Sequence, residues 1–179
     1  HGSEGFDLEA ASQASLAISG EIMLPALTRM LQRIAIKNSG AQRAALILQH
    51  YGELSLEAIG SADHDIEVNL QPRPLDDHPD LPVPRTLIQY VGRTQKSLVI
   101  DDARDRSVFS RDPYFLRERP ISILCEPIIR QGKLLGVLYL ENNLTVGTFA
   151  ANRLTLLRLL AAQAAISIEN ALLYSGLEE

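Results

Sequence analysis

Residues 151–174 carry a helical pattern that is apolar almost all the way round. Leu157, Ala161, Ala164, Ile168 and Ala171 step by four, three, four and three residues, the spacing of a heptad seam. Leu156, Leu159, Leu160, Ala165, Leu172 and Leu173 lie off that seam. A helix apolar over most of its circumference must be covered on more than one side. One side is expected to face the body of the fold. Two covers are available for the other. One is the helix patterned over residues 7–19 of the same chain. The alternative is a second copy, in a homodimer that places Leu8, Leu157, Ala161, Ala164, Ile168 and Ala171 about a two-fold axis. The alanines would then allow close backbone approach.

The rest of the chain supplies a sheet for this helix to cover. Residues 7–19 open with Asp7 as an N-cap and stop at Gly20. A second helix starts at Pro25, with Leu24, Leu27, Leu31, Ile34 and Ala35 on one stripe and Asn38-Ser39-Gly40 at its end. The period then changes. Residues 43–49 form a short apolar run, and residues 54–59 alternate through Leu54, Leu56 and Ala58, with a hairpin turn at 50–53. Ile66, Val68 and Leu70 mark a half-exposed third strand. Residues 71–84 hold five prolines and read as a long loop, not a domain boundary, because too little apolar sequence precedes them for an independent core. A short helix carries Leu87, Ile88 and Val91. Strands are expected at 97–101, 121–129 and 134–140, with one helical turn at 113–117. Adjacent strands flanked by helices give an α+β class with an antiparallel sheet. Residues 1–5 read as a cloning remnant and residues 6–179 as a single domain.

Charge and composition narrow the function. Net charge is −5 and the sequence pI is 5.4, which disfavours a nucleic-acid partner. The lone Cys125 cannot form an internal disulfide, so the expected location is cytoplasmic. No stretch of about 18 apolar residues is free of charge, so membrane insertion is not expected. Aromatics are only 5% and Trp is absent, so the core must come mainly from Leu, Ile, Val and Ala.

Three motifs in the last third of the chain resemble the GAF family. They are Cys125-Glu126-Pro127-Ile128-Ile129, then Gly132-Lys133-Leu134-Leu135-Gly136-Val137-Leu138-Tyr139-Leu140-Glu141-Asn142, then Phe149 followed by Arg153-Leu154 and the run 159–171. The resemblance implies a GAF/PAS-like fold with a central antiparallel sheet of about six strands. Its N- and C-terminal helices would pack on one face, and connecting helices and loops over the other. The wording is most similar to GAF domains of large bacterial sensor histidine kinases. It implies a non-catalytic sensor and dimerisation module of a two-component system, with an output kinase domain in the same chain reached beyond Leu172-Leu173-Tyr174. Most motif residues serve the fold: Gly132 a hairpin turn, Gly136 close packing on the sheet. One departure is Ala150, where the family usually has a Ser or Thr helix cap. Asn152 is the alternative cap.

No catalytic constellation stands out. His50, His64 and His78 are widely spaced, so no metal site is expected. His64 and His78, with Asp63, Asp65, Asp76 and Asp77, read as a solvated acidic loop. Cys125 is in phase with Ile121 and Ile123 and reads as a buried hydrophobe. Family reductases use several cysteines, so redox catalysis on one is disfavoured. Covalent bilin is disfavoured too, because residues 105–114 lack the attachment cysteine, and no cofactor is expected. The cyclic-nucleotide signature is matched only at Phe109 and Asp112. The pocket that the resemblance implies comprises Tyr90, Thr94, Asp101, Asp102, Phe109, Arg111, Asp112, Tyr114 and Ser122. It would hold an unidentified small molecule. Turn caps and surface ion pairs are the alternative account of the same residues, and a ligand-free dimerisation scaffold is the alternative function.

Overall fold

The computed structural model describes residues 23–63, 67–76, 80–105, 109 and 111–175. The helix expected at 7–19, with Leu8, lies outside these residues, as do His64 and His78.

Helix α1 (Leu24–Ser39) starts on Pro25, whose missing N–H costs nothing in a first turn. It ends at Gly40, whose φ of 82° is the left-handed cap that glycine adopts without strain. Strands β1 (Arg43–His50), β2 (Glu53–Ser61) and β3 (Glu67–Pro74) follow as an antiparallel meander. Next come α2 (Arg85–Thr94), the short β4 (Leu98–Ile100) and α3 (Pro113–Glu118). The long hairpin of β5 (Ser122–Arg130) and β6 (Lys133–Asn142) leads into α4 (Ala151–Ser175). The six strands pair in the order β3-β2-β1-β6-β5-β4, so the C-terminal strand β6 closes against β1 at the centre. The fold class is α+β, and the GAF-type architecture is observed.

Strand alternation sorts the core into two layers. Ala44, Leu46 and Leu48 of β1, Leu124 and Ile128 of β5, and Leu138 and Leu140 of β6 pack under α1 and α4. Ala45 and Ile47, Ile123 and Cys125, and Val137 and Tyr139 face the opposite way, under α2, α3 and their loops. Cys125 therefore sits where its phase placed it.

Three expectations change. The run read as loop from residue 71 begins inside β3, which extends to Pro74. Pro72 and Pro74 are tolerated because β3 is an edge strand and one side of its ladder needs no donors. Helix α4 opens directly after Ala150, whose carbonyl accepts from the Leu154 N–H. Asn152 lies inside the first turn, accepting from the Arg153 N–H at 2.9 Å rather than capping the helix from outside.

The third concerns the seam. Leu157, Ala161, Ala164, Ile168 and Ala171 are all buried in the chain's own core, at 0–4% exposure. The cover assigned to a partner at these positions is supplied by the sheet and α1. The outward face of α4 instead presents Leu159, Ile166 and Leu173. By length and composition α4 is apolar enough to cross a membrane, but half of its most apolar window is buried inside the fold.

Candidate functional site

The face under α2 and α3 gathers several expected residues around the buried Asp112 carboxylate and the buried Tyr114 phenol. Asp112 caps α3: its Oδ1 accepts from the Tyr114 N–H at 2.9 Å. Its Oδ2 accepts from the Thr86 N–H in the first turn of α2, also at 2.9 Å. One side chain thus ties together the starts of two helices, where the helix dipoles favour negative charge.

Tyr114 points from α3 onto the sheet and is 1% exposed. Arg43, the first residue of β1, donates from Nη1 to the Tyr114 hydroxyl at 2.8 Å. The hydroxyl donates in turn to Glu141 Oε1 on β6. Arg43 and Glu141 also form an ion pair at 3.4 Å. The Arg43 and Arg117 guanidiniums lie 5.9 and 5.8 Å from the Tyr114 ring centroid, at cation–π range. The Tyr139 ring meets that of Tyr114 edge-on at 6.4 Å. Burial pushes the Tyr114 and Tyr139 hydroxyls far up, and the Glu141 charge adds to both. Burial also raises Glu141, opposed by the Tyr114 hydrogen bond and the Arg43 charge.

The other expected residues are placed less centrally. Phe109 is buried and stacks edge-on against the partly exposed Tyr90 at 5.3 Å. The Thr94 hydroxyl donates to the Tyr90 carbonyl and closes the last turn of α2. Asp102 pairs at the surface with Arg104, whose side-chain hydrogen bonds draw its pKa down to about 2. Asp101 is exposed, and its carbonyl accepts from Gly147. Arg111 is exposed. Ser122 shares the parity of Leu124 and points to the helical face. There its hydroxyl meets the Thr145 carbonyl and accepts from the Thr148 N–H. It pins the turn before α4, and stands apart from Asp112 and Tyr114.

Arg43, Tyr139 and Glu141 were not among the expected residues. A signal was available for the burial of the two β6 residues, though not for their meeting with Arg43. Residues 137, 139 and 141 share one face of a strongly apolar strand, so a carboxylate in that phase is headed for burial.

Across β5 lies another buried carboxylate. Glu126 points to the helical face, where the Ser97 hydroxyl donates to Oε2. Burial raises its pKa, opposed by Ser97 and by the Arg158 charge on α4. A carboxylate held above its unfolded value keeps its proton longer in the native state. Its contribution to stability is full below pH 4.5 and is lost as pH rises through the raised value. Glu126→Gln, which can still accept from Ser97, is therefore expected to stabilise the domain at pH 8, with the gain vanishing by pH 4. Melting temperatures of both proteins across that range check this, and a gain that grows toward acid pH would contradict it. Cys125 is fully buried and its thiol is pushed well up by burial, then by the Glu126 charge.

Comparison with known proteins places this arrangement. Over 89 residues, half of this chain, the sequence is 45% identical to hybrid signal transduction histidine kinase G of Dictyostelium discoideum. Over 174 residues, 97% of the chain, it is 22% identical to the peroxide stress-activated histidine kinase mak3 of Schizosaccharomyces pombe. These matches span only 3% and 7% of those relatives' own lengths. In structure, the GAF domain of an Acinetobacter phosphoenolpyruvate-protein phosphotransferase superposes with a TM-score of 0.73 at 18% identity, covering 93% of this chain and 94% of that one. The GAF domain family itself is matched over residues 23–168, from the start of α1 through most of α4. With the six-stranded sheet and its two helical layers, that match shows that this chain belongs to the GAF domain family.

Proposed function

We propose that this GAF domain is a non-catalytic sensor and dimerisation module of a signal-transduction protein. It would report occupancy of the pocket beneath α2 and α3 to an output kinase domain in the same chain. The observation that carries this reading is the outward stripe of α4. Leu159, Ile166 and Leu173 recur every seven residues and are 50%, 37% and 50% exposed, with exposed Ala162 between the first two. Seven-residue recurrence on an open helix face suits one position of a coiled-coil seam, and a second copy in parallel register would cover it.

Strand β5 gives the pocket a mechanical route to that seam. Ile123 and Cys125 belong to the core layer under α2 and α3, while Leu124 and Ile128 pack under α4. A ligand with different affinity for two placements of β5 shifts the population of α4 geometries by that difference. The expected ligand is a small molecule held between α2 and α3, and covalent bilin is not expected. Cys125 does not suit a redox role, since a buried thiol with a raised pKa offers almost no thiolate.

A second reading, the ligand-free scaffold, draws support from the filling of this face by its own side chains, Tyr114, Tyr139, Leu87 and Ile88 among them. Native mass spectrometry of the purified chain separates the two. We expect a dimer carrying added small-molecule mass, and a monomer for Ile166→Glu. A dimer that neither carries nor takes up any ligand would leave the scaffold. A monomeric parent chain at micromolar concentration would overturn dimerisation through α4.

A further inference from the structure

We propose that the groove around Gly40, where the end of α1 meets the start of α4, is a separate binding site for a small organic phosphate. Two cavities meet there. One, of about 650 Å³, runs between the last turn of α1 and the ends of β2 and β6. The other, of about 530 Å³, runs from Gly40 to the first turn of α4. They share Gly40 and Asn142, and each is of a size that holds a small organic molecule. Arg33 and Lys37 line the first and Arg153 the second, and no acidic residue lines either among the described residues. In a chain of net charge −5 that is a local reversal of sign. Asp63 follows the lining residue Ala62 in sequence but lines neither cavity.

The cations are positioned but unpaired. Arg33 and Lys37 stand four residues apart on α1, hence on one face, and both are exposed. Helix α1 has no acidic residue, and neither cation has an ion-pair partner among the described residues. Like charges at this spacing repel, and an anion between them offsets that repulsion. Arg153 reaches back from α4. Its Nη1 donates to the Ser39 carbonyl at 2.9 Å and the Thr148 carbonyl at 3.1 Å, which leaves the other N–H bonds of the fork for an oxyanion. The guanidinium lies close over the turn, since a Cβ on Gly40 would stand 2.3 Å from that nitrogen. Gln42 Oε1 accepts from the Asn143 N–H at 2.6 Å, so its amide NH2 is a further donor at the groove. A helix C-terminus ordinarily repels anions. Here the Ile34, Ser39 and Gly40 carbonyls are covered by the Asn38 amide, Arg153 and the Asn142 amide. Donors on several sides suit the three oxygens and near-double charge of a phosphate better than the two oxygens of a carboxylate. Ile36 and the exposed Leu144 add an apolar wall, which favours an organic phosphate over the bare ion.

The test titrates the purified chain with phenyl phosphate, following backbone amides by NMR, with inorganic phosphate, benzoate and phenol as comparisons. Saturable shifts are expected at Lys37, Gly40 and Asn142, tighter with phenyl phosphate than with inorganic phosphate or benzoate, and none with phenol. Arg33→Gln and Lys37→Gln are each expected to weaken binding about threefold and the double variant about tenfold, the scale of exposed charge contacts. Both side chains are exposed and make no hydrogen bond among the described residues, so the variants keep a folded comparison. Arg153 stays in place because it holds two carbonyls. Added salt is expected to weaken the parent more than the double variant. Shifts that do not saturate, an affinity for phenyl phosphate no greater than for inorganic phosphate, or equal affinity in the double variant would each overturn the proposal. Shifts centred on Thr86 and Tyr114 would put the phosphate under α2 and α3 and overturn it as well. Saturation by hexaglutamate with no response to phenyl phosphate would assign the groove to an acidic protein segment instead.

Discussion

Gly136→Val is expected to abolish the native fold, and Gly136→Ala to cost about 3 kcal/mol or more, within the range of severe overpacking. Gly136 lies in β6, opposite Leu48 of β1 and Ile128 of β5. A Cβ at this position would stand 2.2 Å from the Ile47 carbonyl oxygen and 2.8 Å from Leu48 Cδ2. The leucine end can swing away. The carbonyl cannot, because it belongs to the central strand pair and moving it opens the β1–β6 ladder. A domain whose whole stability is about 5–15 kcal/mol does not absorb that loss at the middle of its only sheet among the described residues. Urea denaturation followed by circular dichroism measures it. A midpoint for Gly136→Ala equal to that of the parent would show that β1 and β6 separate freely there, contrary to this account.

That glycine was legible in the sequence for the same reason that the sheet was. Local patterns specify strands, turns and the residue that must be small, so the hairpin of β5 and β6 and the helix after it could be read directly. What local pattern does not carry is which neighbour covers an apolar stripe. Leu157, Ala161, Ala164, Ile168 and Ala171 have heptad spacing, and so do Leu159, Ile166 and Leu173. Only the packing shows that the sheet takes the first set. The proline cluster misled for a related reason. Pro72 and Pro74 break a central strand but not an edge, and edge position is a property of the whole sheet. The site was half visible. Asp112 and Tyr114 were named from one segment, whereas Arg43 and Glu141 reach Tyr114 from 71 and 27 residues away in sequence. Charges that meet across such separations leave no spacing to read.

Asp112→Ala is expected to lower stability by about 2–3 kcal/mol, the loss of two buried hydrogen bonds to a charged acceptor. The carboxylate is 5% exposed and its two oxygens are divided between the Tyr114 and Thr86 N–H groups. Neither helix has a substitute. The residue before α2 is Pro84, which makes no side-chain cap, and α3 is only six residues long, so its cap is a large part of what holds it. Alanine would orphan both N–H groups in a place with little water to replace the lost acceptor. Asn retains one acceptor oxygen, so Asp112→Asn is expected to lose about half as much. The damage should also be local, because α3 carries Tyr114 and therefore positions the hydroxyl that accepts from Arg43 and donates to Glu141. Amide hydrogen exchange is expected to speed up at Thr86 and through α3 by more than at β1 or β6. A loss below about 0.5 kcal/mol, within the usual scatter of surface substitutions, would show that the carboxylate does not tie the two helices together. A uniform acceleration across the sheet would show that α3 and the core open as one unit.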